Sequence, residues 1–382
     1  MRQEDREDAA EPPILYTPPS PLGVWHRAIG WGTFLIALLV RAAFLKQLQT
    51  SRLWEDLPGD AAMYRDWAAK IAAGQWVPAG AYEWSPLYAW FLAACFRLFG
   101  SGLMAPRLLQ AVVGAATCVL VYRIGRQAFS PAAGLIAALV ACVHGPSLFL
   151  DAAILPEVLA FFLSAAALYQ IFAANASQRG LLASSGLCLG LAASARDSMI
   201  RVVPIIALWL ILDPWLRGER APGRARESAG RLATFALGLG LVLAPMAARN
   251  YHASGEFVLL TTGGGGPAVI ADDVRYREAV PILLVADPVG WLLVPVAAAG
   301  LALSLARWRE AFCFYLLIAG YAASTLLDFP AVPGLVLIPI ALVLAGSGIE
   351  QTARAAAGRR WLRLLLAAAA FLGALLFAPA IL

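Results

Sequence analysis

Apolar positions along this chain run in blocks, with no strict alternation and only short polar gaps between most of them. The blocks are roughly 17 to 22 residues long, enough for one helix to cross a hydrocarbon core of about 30 Å. They predict about eleven membrane spans. These are residues 24–45, 106–124, 131–150, 155–174, 181–195, 200–216, 232–249, 289–306, 311–327, 331–349 and 361–380. The expected class is therefore an all-α polytopic membrane protein, and the missing two-residue period argues against a β-barrel. Two gaps are long, 46–105 and 250–288. Helices connect readily through short turns, so long connections are where function concentrates.

Composition sharpens this. Hydrophobic residues make up 61% of 382 and charged residues 14%, with mean hydropathy +0.73. A soluble core could not hide that much apolar surface. The net charge of +5 is no sign of nucleic acid, because the arginines crowd into alternate gaps: Arg123 and Arg126, then Arg179, then Arg217, Arg220, Arg224 and Arg226, then Arg307 and Arg309. That bias puts the N-terminus and these gaps inside and both long gaps outside, as in a multi-pass protein of the cytoplasmic (inner) membrane. Residues 1–23 are charged and Pro-rich and read as a disordered cytoplasmic tail rather than a cleavable signal. Residues 24–382 then form one transmembrane domain. Cys95, Cys118, Cys142, Cys188 and Cys313 lie in or beside apolar blocks without CxxC spacing, as inert thiols do.

In the first outer gap, residues 61–73 read as a helix capped by Asp60 and stopped by Gly74. Tyr64, Trp67, Ala68 and Ile71 share one face, which is expected to lie at headgroup depth. By local sequence Asp60 is an ordinary N-cap as readily as a catalyst. Tyr82, Glu83, Trp84, Tyr88 and Trp90 follow closely. Such aromatic density suits sugar stacking or an interfacial belt.

These residues also carry a resemblance. Arg41, Gly59-Asp60, Tyr64, Ala69-Lys70-Ile71, Gly74 and Ser85-Pro86-Leu87-Tyr88 resemble glycosyltransferase family 39, the group of protein O-mannosyltransferases and lipid A aminoarabinose transferases. The likeness continues through Pro106-Arg107-Leu108-Leu109-Gln110, Val121-Tyr122-Arg123, Leu155-Pro156-Glu157 and Pro245-Met246-Ala247-Ala248-Arg249-Asn250-Tyr251. At Arg196-Asp197 the chain departs from the family's common Arg-Pro. The resemblance implies a C-type membrane glycosyltransferase fold. It implies an enzyme taking a sugar from a polyprenyl-phosphate donor at the outer face and passing it to a lipid, protein or glycan hydroxyl. The family's acidic residue in the first outer loop falls on Asp60.

That chemistry needs a base for the acceptor proton and cations for the leaving phosphate. Asp60 is the candidate base. Asp151 and Glu157 flank an outer turn at membrane depth, where ionisable groups are costly; each is equally readable as a helix N-terminal charge. They are candidate catalytic partners, or could share a divalent cation with Asp60, though no metal-ligand spacing is sharp enough to choose. Arg249, Arg196 and Arg41, at outer span ends, are candidate donor-phosphate ligands, or simply snorkel. Tyr64, Tyr82, Glu83 and Tyr88 are candidate substrate contacts. Gly263-Gly264-Gly265-Gly266 has no Walker continuation, and His26, His144 and His252 have no zinc spacing. A transporter or lipid flippase is the rival class; it would place ionisable groups near mid-span.

Overall fold

A computed structural model describes residues 23–51, 54–55, 57, 59–75, 80–174, 178–216, 223–263, 296–305, 308–326 and 334–357. Among the described residues every regular element is helical. In chain order they are α1 (Gly23–Leu48), α2 (Asp60–Ala72), α3 (Pro86–Phe99), α4 (Met104–Ala128), α5 (Pro131–Val143), α6 (Gly145–Ala152), α7 (Glu157–Ala173), α8 (Arg179–Ala195), a 3-10 segment (Asp197–Val202), α9 (Val203–Leu216), α10 (Arg224–Ser254), α11 (Trp308–Leu326) and α12 (Gly334–Ala357).

The first helix shows the logic of the bundle. Thr33, Ala37, Arg41, Phe44 and Leu48 are buried in a stripe of helical period, while Trp31, Leu35 and Leu39 on the other side are exposed. An apolar residue turned outward along a long helix is what lipid contact requires. α4 runs through the centre, packing on α1, α5 and α7. α8 and α10 approach so closely that a Cβ at Gly186 would strike the Phe235 carbonyl, and one at Gly238 the Ala183 carbonyl. Small residues let membrane helices pack backbone to backbone, where burial of apolar surface gives little drive.

Several expected boundaries change. Four described helices are long and apolar enough to cross a membrane alone: α1, α4, α10, and the 3-10 segment with α9. The span expected at 131–150 is instead α5 and α6, bent by 56° at His144. Pro146 lacks the N–H that would continue the helix, and His144 Nδ1 bonds Ser147 Oγ at 2.8 Å across the break. α7 and α8 are apolar but 17 residues each. The expected spans 289–306 and 331–349 are described only in part, and 361–380 lies outside the described residues, as does residues 1–22 of the expected tail.

The first long gap is more structured than a loop. Besides α2 it holds α3, an apolar helix of 14 residues, about 21 Å long and too short to span. The face of α2 expected to meet headgroups is inside protein instead. Ala61, Tyr64, Ala68 and Ile71 pack with Tyr88, Leu92 and Phe96 of α3 and with Ile154, Leu155 and Val158. An adjacent apolar helix gives those aromatics a drier contact than an interface does. All five cysteines are free, four of them buried.

Candidate active site

The outer turn between α6 and α7 is built first, because everything at this end leans on it. Gln110 of α4 donates through Nε2 to the carbonyls of Asp151 (3.1 Å) and Ala153 (2.6 Å) and accepts from the Tyr88 hydroxyl at 2.9 Å. Arg107, one turn earlier, donates to the Ala152 carbonyl at 3.2 Å and the Trp54 carbonyl at 3.0 Å, with its guanidinium 4.0 Å from the Trp54 ring. Both side chains are buried. They satisfy a non-helical turn whose carbonyls would otherwise be orphaned at membrane depth. This is the physical content of the Pro106-to-Gln110 motif.

The turn presents Pro156 to a cleft lined by Asp60, Tyr64, Trp84, Ser85, Pro156, Arg196, Asp197 and Thr261, while Glu157, next in the chain, is buried outside that lining. These residues come from α2, the approach to α3, the start of α7, the break after α8, and the segment beyond α10. Glu157 Oε1 is ion-paired with Arg196. Glu157 Oε2 is buried with no hydrogen-bond partner among the described residues. Asp197 accepts from its neighbour's backbone, Ser198 N, at 2.7 Å and from Thr261 Oγ1 at 3.0 Å, while its N–H donates to Ser85 Oγ at 3.0 Å. Extended backbone at Arg196 stops α8 here and turns the side chains toward the cleft.

Asp60 is the first residue of α2, not its cap. Gly59 occupies the cap position with φ 53°, a conformation that favours glycine, and no side chain caps this end. The Asp60 carboxyl is therefore not consumed by the helix. Partial burial pushes its pKa above the ordinary carboxylate value, and the nearby Arg196 charge opposes that rise. Tyr64, one turn on, is also pushed up, chiefly by burial.

The floor is set by Asn250. Its Oδ1 accepts from Tyr82 N at 3.1 Å and from an Arg249 guanidinium N–H at 3.0 Å. Its Nδ2 donates to the carbonyls of Val258 (3.2 Å) and Leu260 (2.9 Å). One buried amide thus ties α10, the segment before α3 and the strip carrying Thr261. Arg249 stacks 4.0 Å over the Tyr82 ring. The cleft itself is narrow, about 20 Å³, and adjoins an open groove of about 370 Å³ that shares Asp197 and Thr261 and includes Arg201.

Of the residues singled out in sequence, Asp60, Tyr64 and Arg196 line the cleft, and Glu157 is held against it through Arg196. Tyr82 and Arg249 stack on each other outside the lining. Tyr88 is buried beneath it, Tyr64 meeting its ring edge-on at 5.2 Å. Glu83 is exposed and outside the lining. Asp151 and Arg41 lie apart, paired with each other at 2.7 Å and 4% and 3% exposed. Trp84, Ser85, Asp197 and Thr261 line the cleft without having been named as site residues; the signals were Trp84 in the aromatic cluster, and Ser85 and Asp197 inside recognisable motifs. Among the described residues no three His, Cys, Asp or Glu side chains converge closely enough to hold a metal ion.

Helix arrangement and cleft together define a polytopic membrane protein of the C-type glycosyltransferase fold. ArnT from Cupriavidus metallidurans in the apo state superposes with a TM-score of 0.60 at 16% identity, over 92% of this chain and 64% of that one. The same protein bound to undecaprenyl phosphate gives 0.57 at 16% identity over 92% and 64%. The apo oligosaccharyltransferase of Archaeoglobus fulgidus gives 0.60 at 13% identity over 94% and 56%. At such identities the likeness shows the fold, and the chain spans only half to two thirds of these proteins' length. Within that class, residues 83–225 match the family described as dolichyl-phosphate-mannose-protein mannosyltransferase, which bears out the resemblance to glycosyltransferase family 39. The matched stretch includes Ser85, Glu157, Arg196 and Asp197 but ends short of Asp60, Arg249 and Thr261 on either side. A search of curated proteins finds no match.

Proposed function

We propose that this protein moves a sugar from a polyprenyl-phosphate-linked donor to a hydroxyl of a lipid, protein or glycan, at the non-cytoplasmic face of the cytoplasmic membrane. The observation that carries this reading is the meeting of Asp60, Arg196 and Asp197 around one polar cleft, with Glu157 from a third segment ion-paired to Arg196. The acceptor oxygen attacks the anomeric carbon, and the bond from that carbon to the phosphate oxygen breaks. The acceptor proton passes to Asp60, and the electron pair leaves with the lipid phosphate. Arg196 and, from the groove, Arg201 stabilise that charge, since a planar guanidinium suits phosphate. Arg249 supports the groove's wall through Tyr82 and Asn250. The unpartnered Glu157 Oε2 accepts from a sugar hydroxyl. Direct attack inverts the anomeric centre, because no carboxylate then acts as nucleophile.

The test is Asp60→Asn in the full chain, assayed for transfer from a polyprenyl-phosphate sugar in native membranes. Loss of turnover with intact folding is expected; near-normal turnover overturns the assignment of the base. Sidedness is tested by Ser51→Cys and a membrane-impermeant maleimide on whole cells. Labelling only after the cytoplasmic side is opened would reverse the proposed orientation.

A further inference from the structure

A second cavity, of about 660 Å³, lies at the other end of the bundle, between α1, α4 and α7. From Glu157 to Tyr169 along α7, a rise of about 1.5 Å per residue puts the Tyr169 end of this cavity roughly 18 Å from the level of the cleft, with Phe162 between them. Its rim carries three guanidinium groups, Arg27, Arg123 and Arg126, and among the described residues its lining holds no carboxylate. Its wall is apolar, with Trp31, Phe34, Leu120 and Phe162. His26 Nδ1 meets the Tyr122 hydroxyl at 2.9 Å, joining α1 to α4 at the rim, and Arg123 lies 5.6 Å from the Tyr169 ring.

The charge here is unlike that of the arginines paired elsewhere in the bundle. Arg41, Arg196 and Arg231 each face a carboxylate. Arg27, Arg123 and Arg126 form no ion pair among the described residues. Three positive charges over an apolar slot complement a ligand with one negative head and a hydrocarbon tail. A zwitterionic head would bring its own cation against the three guanidiniums. A free anion would leave the apolar wall unused. Basic pockets between membrane helices on the positive side hold anionic headgroups by the same electrostatics. We propose that this cavity binds one anionic glycerophospholipid, with its phosphate among Arg27, Arg123 and Arg126 and an acyl chain along Trp31 and Phe34.

The test uses the full chain purified in neutral detergent. It is titrated with dioleoylphosphatidylglycerol, with dioleoylphosphatidylcholine, and with glycerol phosphate, following thermal unfolding and the lipid retained in native mass spectrometry. Phosphatidylglycerol is expected to be retained and to raise the unfolding midpoint, while the other two do neither. The double variant Arg123→Gln/Arg126→Gln is expected to bind phosphatidylglycerol about thirtyfold more weakly. Gly30→Leu fills the slot without touching charge, since a Cβ there meets only Val119 at 3.7 Å, and it is expected to weaken retention too. It decides the question should the arginine variant fold poorly. Equal retention of phosphatidylcholine, an equal effect of glycerol phosphate, or wild-type binding by both variants would overturn the proposal.

Discussion

Six residues apart, at the two ends of one turn, Asp151 and Glu157 each face an arginine, and the two pairs have opposite surroundings. Asp151 and Arg41 are sealed between α1, α4 and α6. Arg41 spends further N–H groups on Asp151 and on the Ala37 carbonyl at 3.2 Å. Gly114 is the floor of that pair, for a Cβ there would run into the Asp151 carboxylate and the Arg41 guanidinium. Glu157 is as deeply buried, yet Arg196 is 18% exposed, one carboxylate oxygen remains without a partner among the described residues, and Asp60 stands close enough for its charge to be felt. Depth and charge are alike in both. The difference is whether a lone pair and a cation edge remain open to something else.

The largest effect expected from this contrast is on turnover at the open end. Asp60→Asn should lower sugar transfer by about 10²- to 10⁴-fold, the range of general-base contributions, while leaving the thermal unfolding midpoint in detergent where it was. The sealed end should behave in reverse. Asp151→Ala should cost about 3–5 kcal/mol of stability, because it strands a buried arginine, and Arg41→Met/Asp151→Leu together should recover most of that loss. Residual turnover measured in the fraction that folds should stay within a few-fold of wild type. A stable but inactive Asp151→Ala would move the chemistry to the wrong end of the turn.

The apolar blocks sufficed for the class and for helices such as α1, α4 and α10, since a lipid-crossing helix leaves a long, simple signal. α3 escaped because 14 residues is too few to register as a span, and the bend at His144 because Pro146 sits within an otherwise continuous apolar run. Glu157 and Arg196 were legible as charges near span ends, and Asp60 through the family resemblance, yet Asp151 and Arg41 were as legible as the first two; residue type and depth cannot tell a sealed pair from an open one. Which is which depends on side chains such as Gly114, Gln110 and Arg107, whose roles are relational. Asp197 and Thr261 were hidden for the same reason: their link across 64 positions exists only once Asn250 has folded the later segment back.

A smaller effect isolates the packing around the sealed pair. Gly114→Ala should cost about 1–3 kcal/mol, the usual penalty for overpacking, with no change in the pH profile of transfer. Ala at Gly114 adds only a methyl group, so an inert result in thermal unfolding would mean that the pair tolerates displacement and is less rigid than its geometry indicates.

The smallest effect is a displacement of one pH limb. As a base Asp60 acts ionised, so transfer should fall as pH drops through its pKa. Burial has raised that pKa above the ordinary carboxylate value while Arg196 holds it down, so the acid limb should lie higher than a free aspartate's. The sign for stability is opposite: folding favours the protonated carboxyl, so this small contribution is present at low pH and is lost as pH rises through the raised pKa. Arg196→Gln removes the opposing charge and should move the limb further up, whatever it does to the plateau rate. A limb unmoved by Arg196→Gln, with the plateau reduced, would mean that Arg196 serves the leaving phosphate alone and is not felt at Asp60. The open end would then be two independent groups sharing a cleft rather than one coupled site.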